Sequence, residues 1–478
     1  MATMIQLTAT TILATALYRV TLHPLAKVPG PRLWAITRLP YFYNLAIGRL
    51  HFRVHELHEE YGLVVRVAPG ELTFITESSW SDIYLKPQGK PQLQKELAQH
   101  GLTVPGLVLE ANDSHHSRKR KNFASGFTEP AMRQQESTVI KYIDQFISSL
   151  RERSSKPINL NEWCSFLVFD IMGDIVFGES FDSLETSQTS EWAKSTFSYA
   201  ACQIIGGVVQ KFWPFHKILG YLIPSSVRKG AAAHEQCTKE KLDRRLAKSN
   251  PQPDMITPLV ETLNTPLGLT YTELRKTIID IIIGATDTST LALGAMVYFL
   301  WHNQDVLTRL TDEIRFAFAT SADITNDRLK QLPYLNAAIT EMLRLFPPIP
   351  GFLRRIAPPE GCFITGSYIP GNTIVSYDLW AGGHSAENFF RPNDFLPERY
   401  LADPPKEFKN DKRKSYRPFS FGPRNCIGKN LALLEVRLII SKLLWEFNME
   451  LQEESRDWIQ HGAFDRPPLM VKLTSVRK

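Results

Sequence analysis

The sequence predicts a mainly α-helical domain with a small β-rich region, and three patterns lead to this fold class. In "YLNAAITEMLRLFPP" apolar residues recur at helical spacing and end at two prolines, which indicates one amphipathic helix. Residues 275–301 are apolar nearly all round, which is typical of a helix buried in a core. The stretches "LVVRVAPGELTFI" and "SYIPGNTIVSY" alternate apolar and polar residues around Pro and Gly, so we expect strands joined by turns.

Composition places the chain among large globular proteins and excludes several functions. It has 478 residues, of which 43% are hydrophobic and 22% charged. The net charge of +6 is too small to indicate nucleic-acid binding, and no recognition motif for nucleic acid is present. The five cysteines are widely spaced and include no C-x-x-C pair, which argues against a disulfide framework or a zinc site and suits a reducing compartment. They are Cys164, Cys202, Cys237, Cys362 and Cys426.

The N-terminal residues indicate a membrane anchor. Residues 1–18 carry no charge, and the first charges after them are basic, at Arg19 and Lys27. A cleavable signal peptide has basic residues before its apolar run, whereas basic residues after the run predict that the following domain stays on the cytoplasmic side. We therefore expect a membrane anchor, a transmembrane helix, at residues 1–22. The run is short against the ~20 residues that cross a bilayer, so a buried or interfacial helix is the alternative.

One large domain is expected to follow a stiff linker. The linker is "HPLAKVPGPRL", residues 23–33, in which three prolines and a glycine forbid regular structure. No second long linker and no internal repeat follows, which predicts a single catalytic domain over residues 34–478. Within it, residues 275–301 are long enough to cross a membrane, but Asp280, Asp287 and five Ser or Thr residues favour a core helix.

The stretch "FSFGPRNCIG" contains the candidate functional cysteine. Cys426 precedes an apolar helical pattern, and a helix N-terminus favours an anion such as a thiolate, the form in which cysteine ligates metals. Gly422 and Gly428 would let the backbone approach a flat ligand closely. Arg424 is suited to an acidic group on that ligand, and Phe419 would shield the sulfur from water. The alternative is that Cys426 is a small buried core residue.

The spacing F-x-x-G-x-R-x-C-x-G in this stretch resembles the haem-thiolate signature of the cytochrome P450 family. Glu341 and Arg344 match the family's E-x-x-R pair, and Arg399 in "LPERYL" matches the third member of that network, although such a pair could also be an exposed ion pair. "GATDTS" matches the oxygen-binding motif, except that Ala285 stands where glycine is frequent, and "PGPRL" matches the proline-rich hinge. The resemblance extends from about residue 20 to the C-terminus.

The resemblance implies the cytochrome P450 fold, with a long central helix crossing a haem b (iron protoporphyrin IX) group. Cys426 would be the axial ligand of the iron. His116 and Arg120 in "DSHHSRKRKNFASGF" match a pair that reaches the haem propionates, although many members have Trp at the position of His116. Arg355 in "PGFLRRIAPP" matches a further propionate-binding arginine, with Arg354 as the one-residue alternative.

The resemblance also implies a monooxygenase that inserts one atom of dioxygen into a lipophilic small molecule, by hydroxylation or epoxidation. Asp287 and Thr288 would supply the protons that cleavage of the O–O bond consumes. Considered alone, a mid-helix Thr more often bonds back to the carbonyl four residues earlier. Electrons would come from NADPH through a separate reductase, with cytochrome b5 as a second donor, because the chain has no flavin or nicotinamide fingerprint.

Residues 17–43 and 57–74 resemble the fungal branch that includes isotrichodermin hydroxylases. This implies secondary metabolism and the endoplasmic reticulum membrane, with the catalytic domain facing the cytosol. The family's substrate chamber would be lined from several parts of the chain, namely residues 103–109, 204–213, 283–284, 349–353 and 463–464.

Two other functions remain open. A haem-thiolate enzyme can instead couple, rearrange or dehydrate its substrate, and a haem protein can serve as a non-catalytic sensor. The six basic residues within 406–418, together with "RKRK" at 118–121, suggest a docking surface for an acidic reductase, although a charge run is usually a solvated face.

Overall fold

The computed structural model describes most of the chain. The described residues are 2–86, 92–96, 105–154, 156–211, 217, 220–221, 223–248, 254–351, 353–458 and 467–477.

Helices dominate these residues, as predicted. Numbered along the described parts of the chain, they are α1 Ala2–Thr21, α2 Arg32–Ile36, α3 Leu39–Ala46, α4 Leu50–Tyr61, α5 Glu77–Tyr84, α6 Asp113–Ala124, α7 Glu129–Glu152, α8 Leu160–Phe177, α9 Ser183–Thr186, α10 Glu191–Gln210, α11 Ser225–Ala247, α12 Thr257–Glu261, α13 Tyr271–His302, α14 Gln304–Ala317, α15 Asn326–Leu329, α16 Pro333–Leu345, α17 Leu379–Gly383 and α18 Lys429–Glu446.

Short strands make up the minor β region. They are β1 Val64–Ala68, β2 Glu71–Phe74, β3 Gln94–Lys95, β4 Pro157–Asn159, β5 Arg355–Ile356, β6 Cys362–Ile364, β7 Ser367–Ile369, β8 Ile374–Tyr377, β9 Phe447–Leu451 and β10 Met470–Ser475. One sheet has the order β1-β2-β8-β5-β3, a second β4-β10-β9, and β6 pairs with β7. In the first sheet β2 and β8 are parallel and the other pairs antiparallel, and Lys95 of β3 lies opposite Arg355 of β5.

The long helix α13 forms the centre of the main core. Thr270 caps its start, and Glu273 completes a capping box that satisfies backbone N–H groups on the first turn. It packs along α8 and α18, whose apolar side chains belong to the same buried cluster. Among the described residues α13 is the only helix long and apolar enough to cross a membrane, yet 67% of its most apolar stretch is buried inside the protein. The prediction of a core helix over residues 275–301 is confirmed.

The predicted amphipathic helix is α16, which begins at Pro333 and buries most of its residues. Its apolar stripe faces the main core, and its first turn tolerates a proline because N–H groups there lack helical partners. The two alternating stretches form strands β1, β2, β7 and β8, also as predicted.

The linker region packs against the domain. Leu25 is buried in the cluster under the five-stranded sheet, and the buried Arg66 guanidinium donates to the carbonyls of Arg19, at 2.9 Å, and Leu25, at 3.3 Å. The end of α1 is therefore fixed to β1 by a cation that bonds backbone oxygens. Farther along, the Trp80 indole of α5 donates to the carbonyl of Ser415 at 2.7 Å, across 335 residues of sequence.

Candidate active site

The loop before α18 holds the Cys426 thiol next to the N-terminus of that helix. The backbone N–H of Cys426 donates to the carbonyl of Phe419 at 2.8 Å, which closes the loop. Burial raises the pKa of Cys426, and hydrogen bonds from the backbone N–H groups of Gly428 and Lys429 oppose that rise without cancelling it. The predicted position at a helix N-terminus is confirmed. A cation bonded to the sulfur would complete the stabilisation of a thiolate.

The thiol is accessible, unlike that of a core cysteine. Cys426 is exposed, whereas Cys164 is buried. An accessible surface and a burial-raised pKa occur together when a side chain lines a recess within the protein. The alternative that Cys426 is a small core residue is therefore wrong.

The two loop glycines are present for different reasons. Gly422 has φ +78°, and a Cβ there would lie 2.2 Å from the carbonyl oxygen of Tyr84, so only glycine fits. A Cβ on Gly428 would meet only ordinary contacts, with the Cys426 sulfur at 3.9 Å. Phe419 is half-buried against the main core. The loop is thus shaped by its contact with α5 as well as by what lies over the sulfur.

The middle of α13 opens onto space although most of the helix is buried. A Cβ on Gly284 would meet no atom within 4 Å. Thr288, one turn later, is half-buried, and its hydroxyl donates to the Gly284 carbonyl at 2.6 Å. This is the back-bonded arrangement that a mid-helix threonine commonly adopts. Asp287 beside it is buried. The predicted pair therefore lies at an opening in the core.

A buried carboxyl group next to this pair was missed by the sequence reasoning. Glu435 of α18 is fully buried and accepts a hydrogen bond from the Ser289 hydroxyl of α13 at 2.8 Å. Burial raises its pKa to about 7. A glutamate inside the apolar pattern "LALLEVRLII" is the only sequence signal, and it does not reveal the partner. The bond joins the helix after the cysteine to the helix of Asp287.

Arg355 and Arg424 are two of the five described arginines whose buried Nε has no partner, and they are the two whose charges act on Lys95. Arg355 is buried, forms no ion pair with any described residue, and its Nε has no hydrogen-bond acceptor. Arg424 donates to the carbonyl of Glu110 at 2.6 Å and to the Asp113 carboxylate at 2.8 Å, but its buried Nε also lacks an acceptor. Unsatisfied buried guanidinium groups are costly, so this pattern indicates a place for an anionic group.

Lys95 and His116 belong to the same charged cluster as Arg355 and Arg424. Lys95 lies opposite Arg355 in the β3–β5 pair, where like charges destabilise a ladder, and burial followed by Arg355 and Arg424 lowers the pKa of Lys95 to about 8. Burial, followed by Arg424, lowers the pKa of His116 to about 4. His116 is therefore a neutral N–H donor at pH 7, as a tryptophan would be. Lys95 was not predicted, because only the pairing of two distant strands brings it here.

Arg354 and Arg120 have partners within the protein. Arg354 pairs with Glu71 at 2.6 Å, which separates it from its unpaired neighbour and favours Arg355 as the ligand-binding position. Both terminal nitrogens of Arg120 bond to Asn425, at 2.7 and 2.5 Å, so this side chain braces the residue before Cys426. Its charge also lowers the pKa of His116, after burial and Arg424.

The E-x-x-R network is buried and closed. Arg344 binds Glu341 through two hydrogen bonds of 2.7 Å, and Arg399 donates to the same carboxylate at 2.9 Å. None of the three side chains is exposed, so the alternative of a surface pair is wrong. Arg344 also donates to the Gly383 and Pro392 carbonyls, each at 2.5 Å. The network joins α16 to the loops that lead towards the cysteine.

Part of the predicted substrate chamber lies outside the described residues, namely 103–104, 212–213, 352 and 463–464. The parts that are described include Gly284 at the opening in α13 and the segment 105–109, whose contacts are considered below.

Comparison with known proteins agrees with the fold and the cysteine loop. The family profile of Cytochrome P450 matches residues 28–474. The family is one of haem-thiolate proteins, and the long buried central helix and the accessible thiol before α18 agree with it. The chain belongs to the cytochrome P450 family.

Its relatives are fungal enzymes. Over 469 residues it is 38% identical to cytochrome P450 monooxygenase astJ of Aspergillus oryzae, covering 95% of this chain and 93% of that protein. It is 37% identical over 472 residues to averantin hydroxylase of Dothistroma septosporum, with 96% and 89% covered. Cytochrome P450 monooxygenase cpaH of Aspergillus oryzae is 36% identical over 470 residues, with 97% and 91% covered.

The predictions about family and reaction class are confirmed. The chain is a cytochrome P450 monooxygenase of the kind found in fungal secondary metabolism, and its cofactor is haem b. Its electrons come from NADPH through a reductase, and it acts on a small molecule. Coupling, rearrangement or dehydration is the less favoured reaction.

Proposed function

We propose that Cys426 ligates the haem iron and that Arg355 and Arg424, with His116, bind the haem carboxylates. The observation that carries the proposal is that Arg355 and Arg424, each with a buried Nε that has no acceptor, both act on Lys95, and that Arg424 lies two residues before the accessible thiol of Cys426. Haem b has two carboxylates, which can accept from the arginines, and an iron cation, which can bind the Cys426 sulfur. The residues present therefore fit the cofactor, with Gly422, Gly428 and Phe419 shaping the loop around the sulfur. Arg120 supports that loop through Asn425.

When bound, haem with a thiolate ligand supplies the activation of dioxygen. The chain supplies the protons. Thr288 holds its own hydroxyl proton on the Gly284 carbonyl, so the lone pairs of its oxygen remain able to accept a proton donor. Asp287 immediately precedes Thr288 on the helix and provides a buried carboxyl group for proton exchange. We assign Asp287 and Thr288 to proton delivery at the opening beside Gly284.

The substrate is proposed to be a lipophilic small molecule that receives one oxygen atom. The opening lies in a helix whose neighbours are Ile, Leu and Ala, an apolar setting that suits such a ligand. Averantin hydroxylase is among the similar proteins, which supports hydroxylation rather than coupling. Oxidation under isotopically labelled dioxygen tests this. A labelled product is expected, and an unlabelled coupled product would contradict it.

We propose that the domain is membrane-attached through α1, with an anchor at 1–22, a linker at 23–33 and the catalytic domain at 34–478 in the cytosol at the endoplasmic reticulum. Apolar side chains of α1 are exposed, including Leu7 at 69% and Leu13 at 71%. Leu39 and Tyr43 of α3 are exposed as well, so the apolar surface continues beyond the anchor. Flotation with lipid vesicles, lost on deletion of residues 1–22, is the expected result.

The reductase is proposed to dock near the cysteine loop. The side chains available to it are the exposed lysines Lys406, Lys409, Lys412, Lys414 and Lys429. The prediction that "RKRK" presents its charges to a partner is wrong for its first two residues. Lys119 is 1% exposed and pairs with Glu110, and Arg118 is paired with Glu273. Charge reversal at Lys412 and Lys414 is expected to slow electron transfer at low salt, with haem content unchanged.

The first experiment is the carbon monoxide spectrum of the reduced protein. Wild type should give the strongly red-shifted Soret band of thiolate ligation, and Cys426→Ala should lose it. Cys362→Ala is the matched control, because Cys362 is also a free cysteine but lies in strand β6. A red-shifted band that survives in Cys426→Ala, or a wild-type protein without haem, would overturn the proposal.

A further inference from the structure

Residues 105–110 form a segment that charged side chains hold by its backbone. The Asp280 carboxylate of α13 accepts the Val108 N–H at 2.7 Å, and the Leu109 N–H bonds to the same carboxylate. The Lys95 ammonium group donates to the Val108 carbonyl. Both polar atoms of the Val108 backbone are therefore bonded to side chains of opposite charge.

The segment also lies unusually close to α13. A Cβ on Gly106 would lie 2.3 Å from an Asp280 carboxylate oxygen and 2.7 Å from the Lys276 carbonyl, so only glycine permits this approach. The Lys119 ammonium group donates to the Pro105 carbonyl at 2.7 Å, which fixes the start of the segment. Close packing and hydrogen bonds thus specify one position for these six residues.

The two ends of the segment place it beside the catalytic recess. Asp280 precedes Gly284 by one helical turn, which is ~6 Å along the axis at a rise of about 1.5 Å per residue. At the other end, the Glu110 carbonyl accepts from Arg424, two residues before Cys426. The segment therefore runs from the opening in α13 towards the cysteine loop, along one side of the space between them.

The Asp280 carboxylate is well suited to holding residues 105–110 by their backbone N–H groups. Burial raises its pKa to about 6, and the bonded N–H of Val108 and the charge of Lys95 limit that rise. At pH 7.5 the side chain is ionised, and hydrogen bonds to a charged acceptor are stronger than those to a neutral one. The half-buried Asp280 carboxylate accepts hydrogen bonds from two backbone N–H groups of this one short segment and so specifies where the segment lies.

We propose that Asp280 is a positioning residue that fixes residues 105–110 as a wall of the substrate chamber and so sets the size of the molecules admitted. The proposal rests on the proposed function, because the chamber is that of the haem. It assigns no chemical step to Asp280. Its effect is exerted through the bonded backbone of Val108 and Leu109.

Hydrogen–deuterium exchange of the haem-loaded protein at pH 7.5 is the first test. In Asp280→Ala the amide N–H groups within residues 105–110 should exchange at least ~10 times faster. The reason is that each hydrogen bond lost from a charged acceptor contributes a large free energy. Asp280→Asn keeps one acceptor oxygen and should fall between this variant and wild type. Glu235→Ala is the control, because Glu235 pairs with the Lys276 side chain of the same helix at 2.6 Å and has no described bond to residues 105–110. Residues 333–345 should be unchanged in every variant.

The second test compares two azole probes that bind haem iron, small imidazole and bulky clotrimazole, by spectral titration. The ratio of their Kd values should change at least ~5-fold in Asp280→Ala, which corresponds to about 1 kcal/mol. Gly106→Ala should shift the ratio too, as an independent displacement of the wall, while Glu235→Ala should not. Unchanged exchange and an unchanged ratio in Asp280→Ala would overturn this inference. A missing thiolate band in wild type would instead overturn the proposed function.

Discussion

Two buried clusters of arginine in this protein differ in whether their guanidinium groups have ion-pair and hydrogen-bond partners. Around Glu341, the guanidinium groups of Arg344 and Arg399 share that carboxylate, Arg399 also pairs with the buried side chain of Asp411, and their other donors bond backbone carbonyls. Around Arg355 and Arg424, each group keeps a buried Nε without an acceptor. Both clusters are equally removed from water, so burial alone does not distinguish them.

The difference separates structure from binding. A network whose charges and hydrogen bonds are closed within the chain stabilises the fold and has nothing left to offer a ligand. A cationic cluster left open is costly to the free protein and becomes favourable once an anion enters. The same residue type therefore has different roles in these two clusters.

The largest effect on stability is expected from removing the negative charge of Glu341. Glu341→Gln leaves the buried Arg344 guanidinium without a counterion and leaves Arg399 with only Asp411, so the free energy of unfolding should fall by ~3–5 kcal/mol. Chemical denaturation followed by circular dichroism measures it. Glu398→Gln is the control, because Glu398 pairs with the 54% exposed Arg309 and should lose less than ~1 kcal/mol. Similar losses in the two variants would contradict the distinction.

In the cluster of Arg355 and Arg424, the change in the free energy of unfolding is expected to have the opposite sign. Arg355→Met removes a buried charge without a counterion, so the haem-free form should be as stable as wild type or more stable. Haem release to excess apomyoglobin should nevertheless become ~10 times faster, because a charge-assisted bond is lost.

Its neighbour supplies the control for that change. Arg354→Met should destabilise the haem-free form, since the fully buried Glu71 side chain loses one of its two arginine partners. Haem release from this variant should stay near the wild-type rate. Equal behaviour of the two variants would mean that the open cluster does not bind the cofactor.

A further effect concerns the pH dependence of stability. The pKa of His116 in the folded chain, about 4, lies below its usual 6.5, so the unfolded chain takes up a proton first as pH falls. The free energy of unfolding of the haem-free form should therefore drop between pH 6.5 and 4, by up to ~1.4 kcal/mol per pH unit from this group. Above pH 6.5 the group contributes no slope.

His116→Gln should flatten this pH dependence, measured by urea unfolding at pH 7.5 and 5. His115→Gln is the matched control, because the adjacent His115 side chain is 63% exposed. If His115→Gln flattened the profile equally, the low pKa of His116 would not be its cause.

The sequence was sufficient for features that depend on local pattern. Spacing and breakers located α13 and α16, and the motif around Cys426 placed the thiol at the start of α18. The E-x-x-R resemblance implied a buried network, which the structure contains. In each case the relevant residues are close in sequence, or periodicity shows which face is buried.

Features that depend on distant pairing were missed. Lys95 belongs to a two-residue strand, and nothing near it indicates that Arg355 lies opposite. The partners of Asp280 and Glu435 come from other elements, so their sequence neighbours suggest only unexplained acids in apolar helices. The basic run in α6 looked like an exposed surface because the sequence does not show that its charges are paired, one with Glu273 at 155 residues and one with Glu110 outside the helix.

The contact between α5 and the cysteine loop has a consequence for the order of events during synthesis. Trp80 bonds to Ser415 across 335 residues, and Gly422 lies against the Tyr84 carbonyl. The N-terminal side of this contact leaves the ribosome long before the other. We therefore expect a nascent chain to have no finished thiol loop until nearly all of it has been translated, so haem capture is a late event in its maturation.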